Sequence, residues 1–396
     1  MLVCFAVDPS RNSRFIALVG AAVLSAAAAA FIACLLPLGL DRDDIAVMNF
    51  TSHTSYSEIW STPFRDLYYR PIVVTITKLS TDLFGASAVP LRVLQGILIA
   101  TSLGIATTMF RKDTSSTIRT ILGLCLLASP MTFISVAQFG VGIADGIVLV
   151  AFLAAAKWSF GTTDSDASTG IYFVFLSLIA ILAKESGLLV VAFCLLEQLR
   201  RRQWRTALVL LGLAGGYLVL RMALVETEPY PLSSGFMLDM HSRTALQMRF
   251  GDSPILFYLY NVLANLCTVF VYVPERGQFH LTVLIAFFSV AFVYTSIITT
   301  TYVVRTRAWR RHAPLIAIIL LNAVIGYSYV RSRVMFVGYA ALTLLFVMAV
   351  DDIRKRQQPV LGIPARHVPT IALVLWLAMW ITTMCRLWRM DANGTL

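Results

Sequence analysis

Apolar residues in this chain run together in long stretches. The first, Phe15 to Leu38, contains no charge, and others fall at about 88–109, 120–137, 139–157, 171–183, 186–199, 206–224, 281–303, 313–330, 334–350 and 368–385. An α-helix needs about 20 apolar residues to cross a hydrocarbon core of ~30 Å. The pattern therefore predicts an all-α, polytopic transmembrane bundle of about 11 spans. The fifth and sixth are short enough to tilt or to extend into their shared turn. The first run follows Arg11 and Arg14 and is too long for the apolar core of a secretory signal, so it reads as a retained signal anchor. Polar residues collect in a first outer loop at 39–88 and a second large one at 225–280. Within the first, 71–84 (PIVVTITKLSTDLF) mixes apolar and polar residues at helical spacing. It is expected to lie as an interfacial amphipathic helix with Lys78 and Asp82 on its wet side.

Composition agrees with that pattern. With 58% hydrophobic and 13% charged residues and a mean hydropathy of +0.77, the chain is too apolar for a soluble globule. No polar block is long enough to fold separately, so 1–396 reads as one integral-membrane domain. The net charge of +11 then bears on topology. One further apolar segment, 254–274, contains Asn261 and Pro274 and is either a true span or a re-entrant or interfacial helix. If it does not cross, Arg11, Arg14, Arg200 to Arg202, Arg305, Arg307, Arg310, Arg311 and Arg354 to Arg356 all share the cytoplasmic side. The N-terminus is then cytoplasmic and the C-terminus outside, and the whole basic surplus lies inside. Such a distribution argues for a membrane and not for nucleic acid.

Several chemistries find no support. The six cysteines are isolated, without CxxC spacing, and the five histidines are scattered without helical metal-ligand spacing. Neither a phosphate-binding GxxxxGK[ST] loop nor a GxSxG nucleophile elbow is present.

The residues that need a reason lie on the outward side. Asp43 and Asp44 are adjacent carboxylates just beyond a span, where like charges repel, so a functional role outweighs that of a solvated loop. Arg70 stands before the interfacial helix at headgroup level, suited either to a phosphate or to snorkelling. Lys184-Glu185 interrupts an apolar stretch, as a structural ion pair or as an exposed cation near Asp43. Arg331 and Arg333 stand in an outward turn against the positive-inside bias, which favours anion binding. Asp145 sits within a span, either paired between helices or facing the outer cavity.

The order of these pieces resembles the GT-C glycosyltransferases, above all the protein O-mannosyltransferases and transmembrane-TPR mannosyltransferases, with the lipid A aminoarabinose transferases as relatives. The matching pieces are Asp43-Asp44 with Asn49 downstream, Tyr69-Arg70-Pro71, Phe84-Gly85, Pro130 with Ala144-Asp145 later, Ala183-Lys184-Glu185-Ser186, and the basic turn Arg331 and Arg333. After Ser129-Pro130 the family pattern has a histidine and an acid, where this chain has Met131, Thr132, Phe133 and Ile134. The resemblance implies a polyprenyl-phosphate sugar as donor, used on the outer face of a bacterial inner (plasma) membrane. A glycan, lipid or protein would supply the acceptor hydroxyl, and 226–252 would recognise it. Asp43 would be the general base, with Asp44 in support. Arg70, Lys184, Arg331 and Arg333 would neutralise the leaving phosphate, with Tyr69, Glu185 and Asp145 supporting them. Direct displacement would invert the anomeric carbon. No cofactor is expected, although Asp41 and Asp43 form a DxD that suits a divalent cation. A transporter or flippase for a lipid-linked sugar is the alternative, but the charges sit at span ends and no internal repeat is evident.

Overall fold

The computed structural model describes residues 9–36, 42–64, 68–109, 116–128, 142–161, 167–224, 254–270, 282–325, 332–360 and 362–392. Among these the chain is all-α. Its fifteen helices are α1 (Pro9–Leu35), α2 (Arg42–His53), α3 (Tyr56–Ile59), α4 (Pro71–Phe84), α5 (Val89–Met109), α6 (Ser116–Ala128), α7 (Gly142–Gly161), α8 (Ala167–Ala183), α9 (Leu188–Arg200), α10 (Trp204–Leu224), α11 (Pro254–Phe270), α12 (Thr282–Arg305), α13 (Ala313–Ile325), α14 (Phe336–Arg356) and α15 (Val368–Ala392). Each apolar run of the sequence falls on one of them. Among the described residues, five stretches have the length and composition to cross a membrane: Val89–Met109, Gly142–Phe160, Trp204–Leu224, Phe336–Arg356 and Ala365–Met384. Leu18–Cys34, Thr117–Leu127, Thr169–Ala183, Tyr258–Phe270 and Ala313–Ile325 are shorter apolar helices. This is a polytopic helical bundle and an integral membrane protein.

The core is built around α14, whose sequence is apolar on every side and which is buried from Phe336 to Val347. A helix of that kind must be surrounded. It packs against α13, α12 and α6, while α15 closes over α6 and α12. Phe292, Tyr339 and Trp376 meet at its centre, with ring centroids 5.2 to 6.2 Å apart. Asn322 of α13 fixes the start of α14. Its Nδ2 donates to the Val334 carbonyl at 2.8 Å and its Oδ1 accepts from Gly338 N–H at 2.8 Å.

The first outer loop holds more helix than its sequence suggested. Beside the expected helix, which starts at Pro71 and ends at Phe84, it contains α2. Asp44, Val47, Met48 and Thr51 are its buried face, and their spacing is that of one helical stripe. Met48 packs with Leu91 of α5 and Ile143 of α7, which seats α2 on the bundle. The expected wet face of α4 needs correction at Lys78. Its ammonium donates to the Thr51 carbonyl of α2 at 3.1 Å, and Leu79, Leu83 and Phe84 form the exposed face. Asp82 is more open and accepts from the Tyr56 hydroxyl at 2.8 Å, a bond that raises the Tyr56 pKa. Gly85 ends the helix at φ 67, a left-handed value that suits glycine.

The segment 254–274 is helical over Pro254–Phe270. It buries Asn261 and Asn265 and exposes Ile255, Leu256, Leu259 and Leu263. The rest of the second outer loop, including Pro274, lies outside the described residues.

Candidate active site

Three apolar side chains lie beneath the site. Val73 from the first turn of α4, Ala144 from the first turn of α7 and Ala183 from the last turn of α8 pack together. Each is one to three residues from a charged side chain, so burying them brings Arg70, Asp145 and Lys184 to one place.

Local backbone sets the directions. Arg70 precedes Pro71 and is barred from helical geometry by the ring, so it stays outside α4 while its carbonyl accepts the Val74 N–H at 3.1 Å. Lys184 is extended, at φ -162 and ψ 154, and a short 3-10 turn, Glu185–Gly187, follows it. Gly187 is required there, because a Cβ would lie 2.1 Å from the Ala180 carbonyl oxygen. The turn thus folds back on the end of α8. Lys184 pairs with Asp145, and its ammonium also lies 5.9 Å from the Phe336 ring at the start of α14. Glu185 takes Arg70 along one edge of the guanidinium, with Nη2 to Oε2 at 2.8 Å and Nε to Oε2 at 3.1 Å. Arg221, in the last turn of α10, reaches the other oxygen of Glu185 at 3.2 Å.

Three cations and two carboxylates from four segments of the chain therefore gather here, and all five are largely shielded. Two-point attachment orients the Arg70 plane in a way a single bond cannot. Its guanidinium also stacks 4.5 Å over the Tyr68 ring. Glu185 uses the Nε and Nη2 edge, so Nη1 keeps its donors for another anion. Tyr69 is buried and donates to the Trp60 carbonyl at 3.0 Å; burial raises its pKa, which keeps it a neutral donor. Two hydroxyl oxygens nearby, Ser186 Oγ and Tyr217 Oη, are buried without a hydrogen-bond partner among the described residues. Tyr217 sits one helical turn before Arg221 and within electrostatic reach of Arg70 and Tyr69.

The sequence expectations fare unevenly. Arg70, Tyr69, Lys184, Glu185 and Asp145 do come together. Arg70 is not a snorkelling residue and Lys184 is not a solitary exposed cation, since each is held by a carboxylate. Asp145 is the paired helix-packing carboxylate of the two readings. Asp44 is 2% exposed, on the face of α2 that packs on the bundle. Asp43 is in the first turn of α2, but its side chain lies outside the described residues, as do Asp41, Pro130 and Arg331. Arg333 belongs to a 3-10 turn, Ser332–Met335, set by Asn322, and its side chain is likewise outside them. Sequence reasoning missed Arg221 and Tyr217. Their signal was a hydroxyl and a cation at i and i+4 following the uninterrupted apolar stretch 207–216 of that helix. It also missed Arg92, which is 1% exposed in α5 and donates to Gln95 at 3.0 Å. Among the described residues no three His, Cys, Asp or Glu side chains gather as a metal site.

No protein-family model matches the chain, and no curated protein does. Solved structures do. ArnT from Cupriavidus metallidurans in the apo state superposes with a TM-score of 0.52 at 14% identity, covering 97% of this chain and 78% of that one. The same protein bound to undecaprenyl phosphate gives 0.53 at 16%, covering 94% and 77%. At such identities the likeness is one of fold. Over nearly its whole length this chain has an ArnT-like fold, in keeping with the GT-C resemblance of its sequence.

Proposed function

We propose that this protein transfers a sugar from a polyprenyl-phosphate donor to an acceptor hydroxyl on the outer, periplasmic or luminal, side of the membrane. The observation that carries the reading is the convergence of Arg70, Lys184 and Arg221 with Glu185 and Asp145 at one end of an ArnT-like bundle. ArnT itself has been solved with undecaprenyl phosphate bound.

In this reading the acceptor oxygen attacks the anomeric carbon while the bond from that carbon to the phosphate oxygen breaks. The configuration inverts, and polyprenyl phosphate leaves with the bond's electron pair. Charge develops on the phosphate, so fixed cations stabilise the transition state more than the ground state. Arg70 and Lys184 supply that charge, held in place by Glu185 and Asp145, with Arg331 and Arg333 as further contributors. Ser186 and Tyr217 offer hydroxyls to phosphate or sugar oxygens. Asp43 takes the acceptor proton, and buried Asp44 beside it supports the carboxylate. No step here is routed through a divalent cation; Asp41 and Asp43 are the residues that would hold one.

The test is transfer from a labelled polyprenyl-phosphate sugar in membranes, measured beside donor binding. A base is expected to contribute roughly 100-fold or more, because an amide cannot accept the proton. Asp43→Asn should lose that activity while donor binding stays near normal. Near-normal turnover would remove Asp43 as the base, and the same result for Asp44→Asn would favour a flippase.

A further inference from the structure

The far end of the bundle has its own arrangement of polar groups, and the proposed reaction uses none of it. α9 runs 13 residues from beside Glu185 to Arg200, which is about 20 Å at the usual rise. At that end buried Glu197 accepts from Arg200 Nε at 2.9 Å and Arg201 Nε at 2.8 Å, and Arg201 also donates to the Ser159 carbonyl at 2.7 Å. On α14, Asp351 pairs with Arg354 at 3.2 Å and Lys355 at 2.8 Å, and Asp352 pairs with Arg356 at 2.8 Å. These basic residues are neutralised locally.

The turn between α12 and α13 is different. Arg307 adopts left-handed φ 50, Arg310 N–H donates to the Arg307 carbonyl at 3.3 Å, and His312 N–H donates to the Ala308 carbonyl at 2.9 Å. This tight path gathers Arg305, Arg307, Arg310 and Arg311, which no carboxylate pairs with among the described residues. Trp309 stands 51% exposed among them, with the Arg310 guanidinium 5.2 Å from its ring. Beneath lies His312, 5% exposed, whose Nε2 is buried with no hydrogen-bond partner among the described residues. Its burial first, and then the charges of Arg311 and Arg200, push it down to about 4. It is therefore neutral near pH 7 and can donate or accept at Nε2.

We infer that the Arg305–His312 turn binds the phosphate of an anionic phospholipid from the leaflet at that end. Arg307, Arg310 and Arg311 would supply the charge above the buried, neutral His312, and Trp309 would lie at the acyl boundary. An exposed tryptophan beside clustered arginines is what an interface presents to a headgroup. A small soluble anion would leave the tryptophan without a role.

Trp309 makes the site readable. Brominated phosphatidylglycerol is titrated into the full-length protein in neutral detergent, and the quenching lost in Trp309→Phe is taken as the signal. Brominated phosphatidylcholine should give little of it. Arg311→Gln should raise the half-quenching concentration about fivefold, the effect of one basic residue at a charged surface. Arg205→Gln, an exposed arginine of α10 at the same end, should leave it unchanged. Equal quenching by phosphatidylcholine, or equal effects of the two substitutions, would overturn a built site in favour of diffuse charge. Displacement by millimolar inorganic phosphate would overturn the lipid assignment. Neither outcome depends on sugar transfer, so the test stands apart from the proposed reaction.

Discussion

Arg70 and Glu185 are 115 positions apart in the chain and meet edge to edge. A lysine in place of Arg70 would keep the charge but lose the planar fork that Glu185 grips, and with it the orientation of the remaining donors. Glu185→Gln would loosen the same arginine from the other side and release Arg221 as well. If Glu185 acts on donor binding through Arg70, the two substitutions should each weaken binding roughly tenfold, and together they should cost little more than either alone. A donor-binding cycle over the four proteins measures this coupling. Strict additivity would mean that Glu185 does not position Arg70 for the phosphate.

At the scale of elements, the decisive piece is the turn between α8 and α9. It is held by the close approach of Gly187 to the Ala180 carbonyl, and it places Lys184 and Glu185 on consecutive residues that serve different partners. Gly187→Ala must push the turn off the end of α8, at a cost of about 1–3 kcal/mol for an overpacked contact. Donor binding should fall with thermal stability, because both charged side chains move. Gly216→Ala in α10, where a new methyl meets nothing within 4 Å, should lower neither. Much at this scale was legible in advance. Continuous apolar runs marked the bundle helices, Pro71 marked the start of α4, and the Lys184-Glu185 break marked the turn. α2 was also legible, in the stripe Asp44, Val47, Met48 and Thr51, but its acids and serines and threonines drew it toward a loop reading. The pairing was not legible. Which carboxylate meets Arg70, and that Arg221 joins them, depends on how α4, α8 and α10 pack, and local sequence carries no record of such distant contacts.

For the whole molecule, the two charged ends constrain topology. Arg221 meets Glu185 at the site end of α10, whereas α12 ends at Arg305 on the turn leading into α13, the helix that packs along α9. α10 therefore ends, and α12 begins, at the site end. That supports the re-entrant or interfacial reading of α11, with its buried amides and exposed apolar face, over a single crossing. We propose the 11-span arrangement read from the basic residues, with Arg202, Arg311 and Lys355 on the cytoplasmic side and Lys184, the 226–252 loop and Arg331 outside. Single cysteines at these positions, labelled by an impermeant reagent in intact cells, should divide along those lines. Lys184 and Arg202 flank one helix of about 20 Å and are the most stringent pair, because the 11-span arrangement puts them on opposite sides with the fewest residues between them. Labelling of a cysteine at Arg311 from outside, with Arg202 protected, would require a crossing between α10 and α12. It would also place the unpaired arginine turn in the opposite leaflet from Arg200.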